Sequence, residues 1–197
     1  MIVNKIKKSL CILRDLYFFI SFNRRNKEIK KLEHLFNVKR SFLIGSGPSI
    51  KDDNFSPLKN ELILSLNNGY VHKNYKDYMI GDNKFHLVAP IHKPQSYKDW
   101  LKWFKDMELN IPVNVKLVFG ISGSRLSSKK IIEENNLFKH HEVFYFYTIS
   151  EFPLKKPMKR LLNIGKIIYR CETASLYGLH FLRYLGVKNI YLLVAYV

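Results

Sequence analysis

Along this chain the apolar residues fall into short blocks, some continuous and some spaced at helical intervals, with polar stretches between them. The block at 41–45, Ser-Phe-Leu-Ile-Gly, is continuous, too short for a helix and closed by glycine, which predicts a buried strand. The same reading predicts strands at 61–67, 77–81, 115–119, 143–149 and 189–195. Helical spacing takes over at 97–109, where Trp100, Leu101, Phe104 and Met107 share one side, and a polar amphipathic helix is predicted at 127–136. The strongest helical pattern, 173–185, opens on Thr173 and is closed by Gly186. One helical turn is predicted at 50–54, helices in the basic N-terminal region, and an irregular basic stretch at 150–169 containing Pro153 and Pro157. Strands alternating with helices imply an α/β domain built on a mostly parallel sheet with helices on both faces. Ligands bind such sheets beyond the carboxyl ends of the strands, where the winding changes direction.

The residues after each predicted strand are therefore the candidates for chemistry. Gly45, Ser46, Gly47, Pro48 and Ser49 follow the first strand directly. The glycines remove side chains where the backbone turns and a ligand approaches, Pro48 presets one dihedral, and Ser49 offers a hydroxyl and a cap. Backbone amides in such a turn point at an anion, which makes it a candidate phosphate cradle. Asn67 and Asn68 end the second predicted strand; they read the edge of a base or sugar, or form a turn with Gly69, and both readings stand. Asp82 is placed after the third predicted strand, together with Asn83, where it binds a ribose hydroxyl or a metal or caps a loop. Arg170, Thr173 and Ser175 surround the start of the last helix and suggest a second phosphate contact beside ordinary capping. His180 inside that helix, and Tyr145 and Tyr147 on an aromatic strand, read as packing residues.

Composition narrows the class. A chain of 197 residues with 47% hydrophobic and 14% aromatic residues is globular, and its formal net charge of +17 calls for an anionic partner. The two cysteines, Cys11 and Cys171, have no metal or redox spacing, and the His140-His141 pair has no partner at ligand spacing, so no metal site is expected and a reduced, cytoplasmic setting is. Residues 10–22 are apolar and aromatic but interrupted by Arg14 and Asp15, too short to span a bilayer and without a cleavage site. Flanked by basic residues, they suit a helix lying on the inner face of the cytoplasmic membrane with Leu16, Phe19 and Ile20 dipping in, or a helix packed on the domain. Residues 1–39 are thus read as a basic, aromatic-rich helical extension and 40–197 as the nucleotide-binding domain. The charge alone leaves a non-enzymatic module binding nucleic acid or an anionic membrane as an alternative, but no helix-turn-helix, RNP-like or zinc motif supports it, so nucleic acid is not the expected partner.

Residues 42–50, Phe-Leu-Ile-Gly-Ser-Gly-Pro-Ser-Ile, and 185–192, Leu-Gly-Val-Lys-Asn-Ile-Tyr-Leu, resemble two related Rossmann-like families. One is the bacterial lipooligosaccharide sialyltransferases; the other is the 6-hydroxymethylpterin diphosphokinase MptE-like family of surface-polysaccharide loci. The first resemblance implies a glycosyltransferase of cell-surface glycan synthesis. Its donor substrate is a nucleotide-activated, CMP-linked sugar, its acceptor a glycan or lipid-linked glycan, and it needs no metal or other cofactor. It also implies that the 45–49 loop and Asn67 meet the nucleotide, and that Arg170, Thr173 and Ser175 meet its phosphate. The second implies ATP and Mg²⁺, with Asp82 as the metal-binding carboxylate. The chain departs from the sialyltransferase pattern at Ser46, where that family has asparagine, and around Arg170, where one residue is extra. The family's Gly-x-Asp, and its catalytic histidine and tyrosines, correspond to positions after Val197. The resemblance therefore implies a C-terminally truncated chain with no assignable general base, which puts activity in this form in doubt.

Overall fold

The structure, a computed structural model, describes residues 27–36, 38–92, 94–122, 126–149, 164–165 and 168–193, together with Leu10, Leu13, Tyr17, Ile20 and Ser21. Expectations placed on 1–9, on Leu16 and Phe19, on the basic stretch 150–163 and on 194–197 lie outside these residues.

Seven strands, all parallel, form one sheet: β1 (Arg40–Ile44), β2 (Leu62–Leu66), β3 (Lys84–Val88), β4 (Lys116–Ser122), β5 (Val143–Ile149), β6 (Ile168–Tyr169) and β7 (Asn189–Leu193). Their spatial order is β6-β5-β4-β3-β2-β1-β7. The chain thus winds in one direction from β1 to β6 and then returns across the sheet to place β7 on the other side of β1. The pairings are regular, with Phe42 of β1 facing Ile63 of β2 and Tyr191 of β7. From residue 27 onward, the α-helices among the described residues are α1 (Tyr75–Tyr78), α2 (Tyr97–Asn110), α3 (Ser128–Glu134) and α4 (Ala174–Tyr184).

Right-handed crossovers put helices on one face while the winding runs one way and on the other face when it reverses. The two cores follow that rule. On the first face Ile44, Ile63, Leu117 and Phe119 pack against α1 to α3 through Tyr78, Phe104 and Ile131. On the second, Leu43, Leu64, Phe85 and Phe146 pack against Tyr177 and Phe181 of α4. Ile29 and Leu32 join this second core, and Phe36 N–H donates to the Leu185 carbonyl at 2.9 Å. Residues 29–36, read from sequence as part of an extension, therefore close the α4 face. A capping box between Ser96 and Asp99 starts α2, and its hydrogen bonds hold the Asp99 carboxyl below its usual range.

The Rossmann-like α/β architecture stands as the sequence implies, but one strand does not. The strand predicted at 77–81 is a helical turn, α1, and its apolar residues Tyr78 and Met79 are buried in the first core. The third strand is instead Lys84–Val88, every residue of which is buried. Its lysine and histidine hid it: Lys84 Nζ donates to the Glu61 carbonyl at 2.5 Å, and both ring nitrogens of His86 are hydrogen-bonded. Desolvation lowers the Lys84 amine to about 8. A short strand, β6, also appears inside the stretch predicted to be irregular.

Candidate functional site

The reversal of winding lies between β1 and β7, and the loop leaving β1 there is the Gly45–Ser49 turn. Gly45 N–H donates to the Leu193 carbonyl at 2.9 Å and so extends the β1–β7 ladder by one rung. A tight turn at Pro48–Ile50 follows, closed by Ile50 N–H to Gly47 O and Lys51 N–H to Pro48 O. The backbone amides of Ser46, Gly47 and Ser49 have no hydrogen-bond partner among the described residues. Unpaired main-chain donors beside a strand end are what an anion requires.

A cleft of about 510 Å³ opens against this loop. One wall is Gly45, Ser46, Gly47 and Pro48, continuing to Lys51 and Asp52; the other is Asn68, Gly69, Val71, His72 and Lys73, from the turn that follows β2. The parallel register of β1 and β2 sets both strand ends side by side. A cross-tie then fixes the walls. His72 Nε2 donates to the Ile50 carbonyl at 3.0 Å, while Asn74 N–H donates to His72 Nδ1 at 3.3 Å. Lys73 makes a loose ion pair with Asp52, N to O 3.7 Å, and Lys51 has no such partner among the described residues. The cleft thus combines main-chain donors with two lysines and one carboxylate.

Gly69 packs tightly on β2 beneath the second wall. A Cβ there would lie 2.2 Å from Ser65 Oγ, while its next neighbours, Ser65 Cβ and Gly45 O, are at 3.6 Å. The Ser65 hydroxyl is buried and without a hydrogen-bond partner among the described residues. Gly69→Ala therefore costs about 1–2 kcal/mol by overpacking, and adding Ser65→Ala recovers most of it. A urea-denaturation double-mutant cycle that shows no coupling would place the strain elsewhere.

The sequence-derived candidates divide clearly. Gly45, Ser46, Gly47, Pro48 and Asn68 line the cleft, and Ser49 sits exposed just beside it. Asn67 does not line it. It adopts the left-handed conformation, φ 44°, and its Oδ1 accepts the Ala89 N–H at 3.1 Å, tying the carboxyl ends of β2 and β3. Asp82 stands at the opposite end of the sheet, before β3, in a smaller cleft of about 250 Å³ with Lys59, Glu61 and Lys84. The expectation that it follows a third strand is corrected by the true position of β3. Thr173 caps α4, its Oγ1 accepting Leu176 N–H at 3.4 Å, and Arg170 N–H donates to the Ile149 carbonyl at 2.8 Å. The start of α4 lies at the carboxyl end of the sheet, but Arg170, Thr173 and Ser175 are not among the cleft's walls.

The chain matches no protein-family model, no curated protein and no solved structure.

Beneath the second wall lies a group that sequence reasoning missed. His86 is fully buried; its Nε2 donates to the Asn67 carbonyl at 2.8 Å, so Nδ1 is the acceptor for the Tyr75 hydroxyl, also at 2.8 Å. Desolvation pushes its pKa down to about 4, against a smaller opposing effect from the Asn67 hydrogen bond. The neutral ring thereby holds Asn67 in its left-handed turn and positions Asn68 and Gly69. Nothing in the local sequence marks this histidine, because both its partners are distant along the chain. Among the described residues no group of 3 or more His, Cys, Asp or Glu side chains is placed to hold a metal ion.

Proposed function

We propose that the cleft between the Gly45–Ser49 loop and the Asn68–Lys73 turn binds the phosphate and sugar portion of a nucleotide, and that the protein is a glycosyltransferase-like enzyme of cell-surface glycan synthesis. The observation that carries this reading is the coincidence of unpaired loop amides with a lysine-bearing cleft beyond the carboxyl ends of β1 and β2, β1 being one of the two strands between which the winding reverses. The amides of Ser46 and Gly47 hold the phosphate, Lys51 and Lys73 neutralise it, and Asn68 meets the sugar or base. In transfer from a nucleotide-activated sugar the glycosidic C–O bond to the leaving phosphate breaks as the acceptor oxygen bonds to the anomeric carbon. Fixed donors around the leaving phosphate stabilise the charge that develops on it.

The resemblance of residues 42–50 and 185–192 to the sialyltransferases favours a CMP-linked donor. The diphosphokinase reading loses its metal-binding carboxylate, since Asp82 stands at the other end of the sheet.

Thermal denaturation in the presence of CMP, UDP, GDP or ATP tests the reading. One nucleotide raises Tm selectively, and Lys51→Ala with Lys73→Ala weakens its binding by about tenfold or more. No shift with any nucleotide in a cooperatively folding sample sinks the proposal.

A further inference from the structure

β7 is an edge of the sheet: it pairs with β1 on one side and, among the described residues, with no strand on the other. Two bonds at the ends of the β1–β7 ladder fix which of its groups face outward. Asn189 N–H donates to the Lys39 carbonyl at 3.1 Å, and Gly45 N–H to the Leu193 carbonyl at 2.9 Å. Asn189, Tyr191 and Leu193 therefore turn their backbone groups toward β1, while Ile190 and Leu192 turn theirs away. The N–H and C=O of both residues stand in a row with no partner among the described residues.

Edge strands are commonly blunted by lysine, proline or a bulge. β7, Asn-Ile-Tyr-Leu-Leu, carries neither charge nor proline and pairs with β1 residue for residue from Asn189 to Leu193. Its two faces are open as well. Tyr191 is 49% exposed and Leu192, on the opposite face, 42%. Tyr191 stacks on Phe42 of β1 at 5.2 Å, and the Arg40 guanidinium lies over the same Phe42 ring at 5.7 Å.

A second copy of the chain fits this edge by symmetry. The outward groups at 190 and 192 are centred on Tyr191, so a two-fold axis there sets Ile190 of each copy opposite Leu192 of the other. Each such pair exchanges both of its hydrogen bonds, and the two Tyr191 residues meet at the close, non-hydrogen-bonded position between them. The stacked Phe42 and Tyr191 rings of one copy then continue into those of the other.

Charge permits the same arrangement in a chain of net charge +17. Antiparallel pairing sends Lys39 and Lys188, at the amino end of the β1–β7 pair, away from their counterparts. Lys188 falls opposite position 194 of the second copy, so about 20 Å of strand separates the two Lys188 residues, beyond a Debye length of about 8 Å. Arg40 is already paired with Glu61. An acidic segment of another protein suits the edge less well, because the strand itself offers no cation to read it.

We propose that the protein forms a two-fold symmetric dimer in which the β7 strands of two copies pair antiparallel about Tyr191, joining their sheets into one. This inference is independent of what the cleft binds.

Sedimentation velocity of the full chain over a concentration series shows a reversible monomer–dimer equilibrium. Tyr191→Lys and Tyr191→Glu each place like charges at the axis and raise the dimer Kd by about tenfold or more. Mixing the two variants restores the dimer, because opposite charges then face each other. That rescue is specific to a contact of residue 191 with itself. Should either variant fail to fold, hydrogen exchange of the parent reads the same pairing: the Ile190 and Leu192 amides exchange slowly in the dimer and fast after dilution. A parent that stays monomeric at every concentration overturns the inference. Protection of those amides only on adding a strand-forming peptide of alternating valine and glutamate also overturns it, by assigning the edge to another protein. A dimer that the single variants leave intact does the same by placing the interface elsewhere.

Discussion

Replacing His86 by phenylalanine lowers stability by about 3 kcal/mol at neutral pH and removes much of the acid sensitivity of the domain. The neutral-pH loss comes from the partners left behind. The Tyr75 hydroxyl, which is buried, and the partly buried Asn67 carbonyl each lose their hydrogen bond to the ring. The pH effect follows from the direction of the shift. The folded-state pKa, about 4, lies below the ordinary 6.5 because burial disfavours the charged ring. Above 6.5 neither state binds the proton, and the contribution is fully present. As pH falls from 6.5 toward about 4 the unfolded chain takes up a proton that the folded chain refuses, and stability is lost by about 3 kcal/mol. His141 and His180 are also held down by burial and leave a residual slope in the variant. The measurement is urea denaturation of parent and variant across this range. Parallel curves would show that His86 does not carry the difference. The Asn67 turn loosens in the same variant, so ligand affinity at the second wall of the cleft falls with it.

Gly120→Ala destabilises the domain by about 3 kcal/mol. Gly120 lies in the middle of β4, paired with Phe146 of β5, and is buried. A Cβ there would sit 2.5, 2.6 and 2.7 Å from Pro90 Cδ, Cγ and N. A proline ring and a backbone nitrogen cannot swing aside as the end of a flexible side chain does. Either the chain after β3 or β4 itself must shift. Movement of β4 also disturbs the start of α3, since the buried Ser128 hydroxyl donates to the Gly120 carbonyl at 2.9 Å. Denaturation of Gly120→Ala alone and with Pro90→Ala separates the causes. Removing the ring recovers part of the loss, and no recovery would place the strain on the backbone alone.

The fold was legible wherever burial was purely apolar. The continuous block before Gly45 marks β1, and helical spacing of Trp100, Phe104 and Met107 marks α2, because their apolar side chains are buried in the two cores. Reading failed at β3, where a lysine and a histidine are buried with their polar atoms satisfied by Glu61, Tyr75 and Asn67. Those partners come from other elements, so no local pattern announces them. The helical turn at Tyr75–Tyr78 shows the opposite error: apolar residues beside a glycine resemble a strand end until the helix face they bury is known.

The candidate site divides in the same way. The first wall is continuous in sequence and was visible as Gly-Ser-Gly-Pro-Ser. The second wall, from Asn68 to Lys73, was visible only at Asn68, since His72 and Lys73 acquire meaning through contacts with Ile50 and Asp52 on the facing loop. Thr173 was legible as a helix cap, a local property, while its distance from the cleft was not.

Taken alone, the order of apolar blocks determined an α/β chain with a glycine-rich turn after its first strand, because strand, turn and helix preferences act over a few neighbouring residues. Tertiary structure alone decided that β7 lies against β1, that the cleft opens between the segments following β1 and β2, and that Asp82 stands at the other end of the sheet. Strand order and burial of polar groups depend on pairings between residues far apart in the chain, and no local preference encodes them.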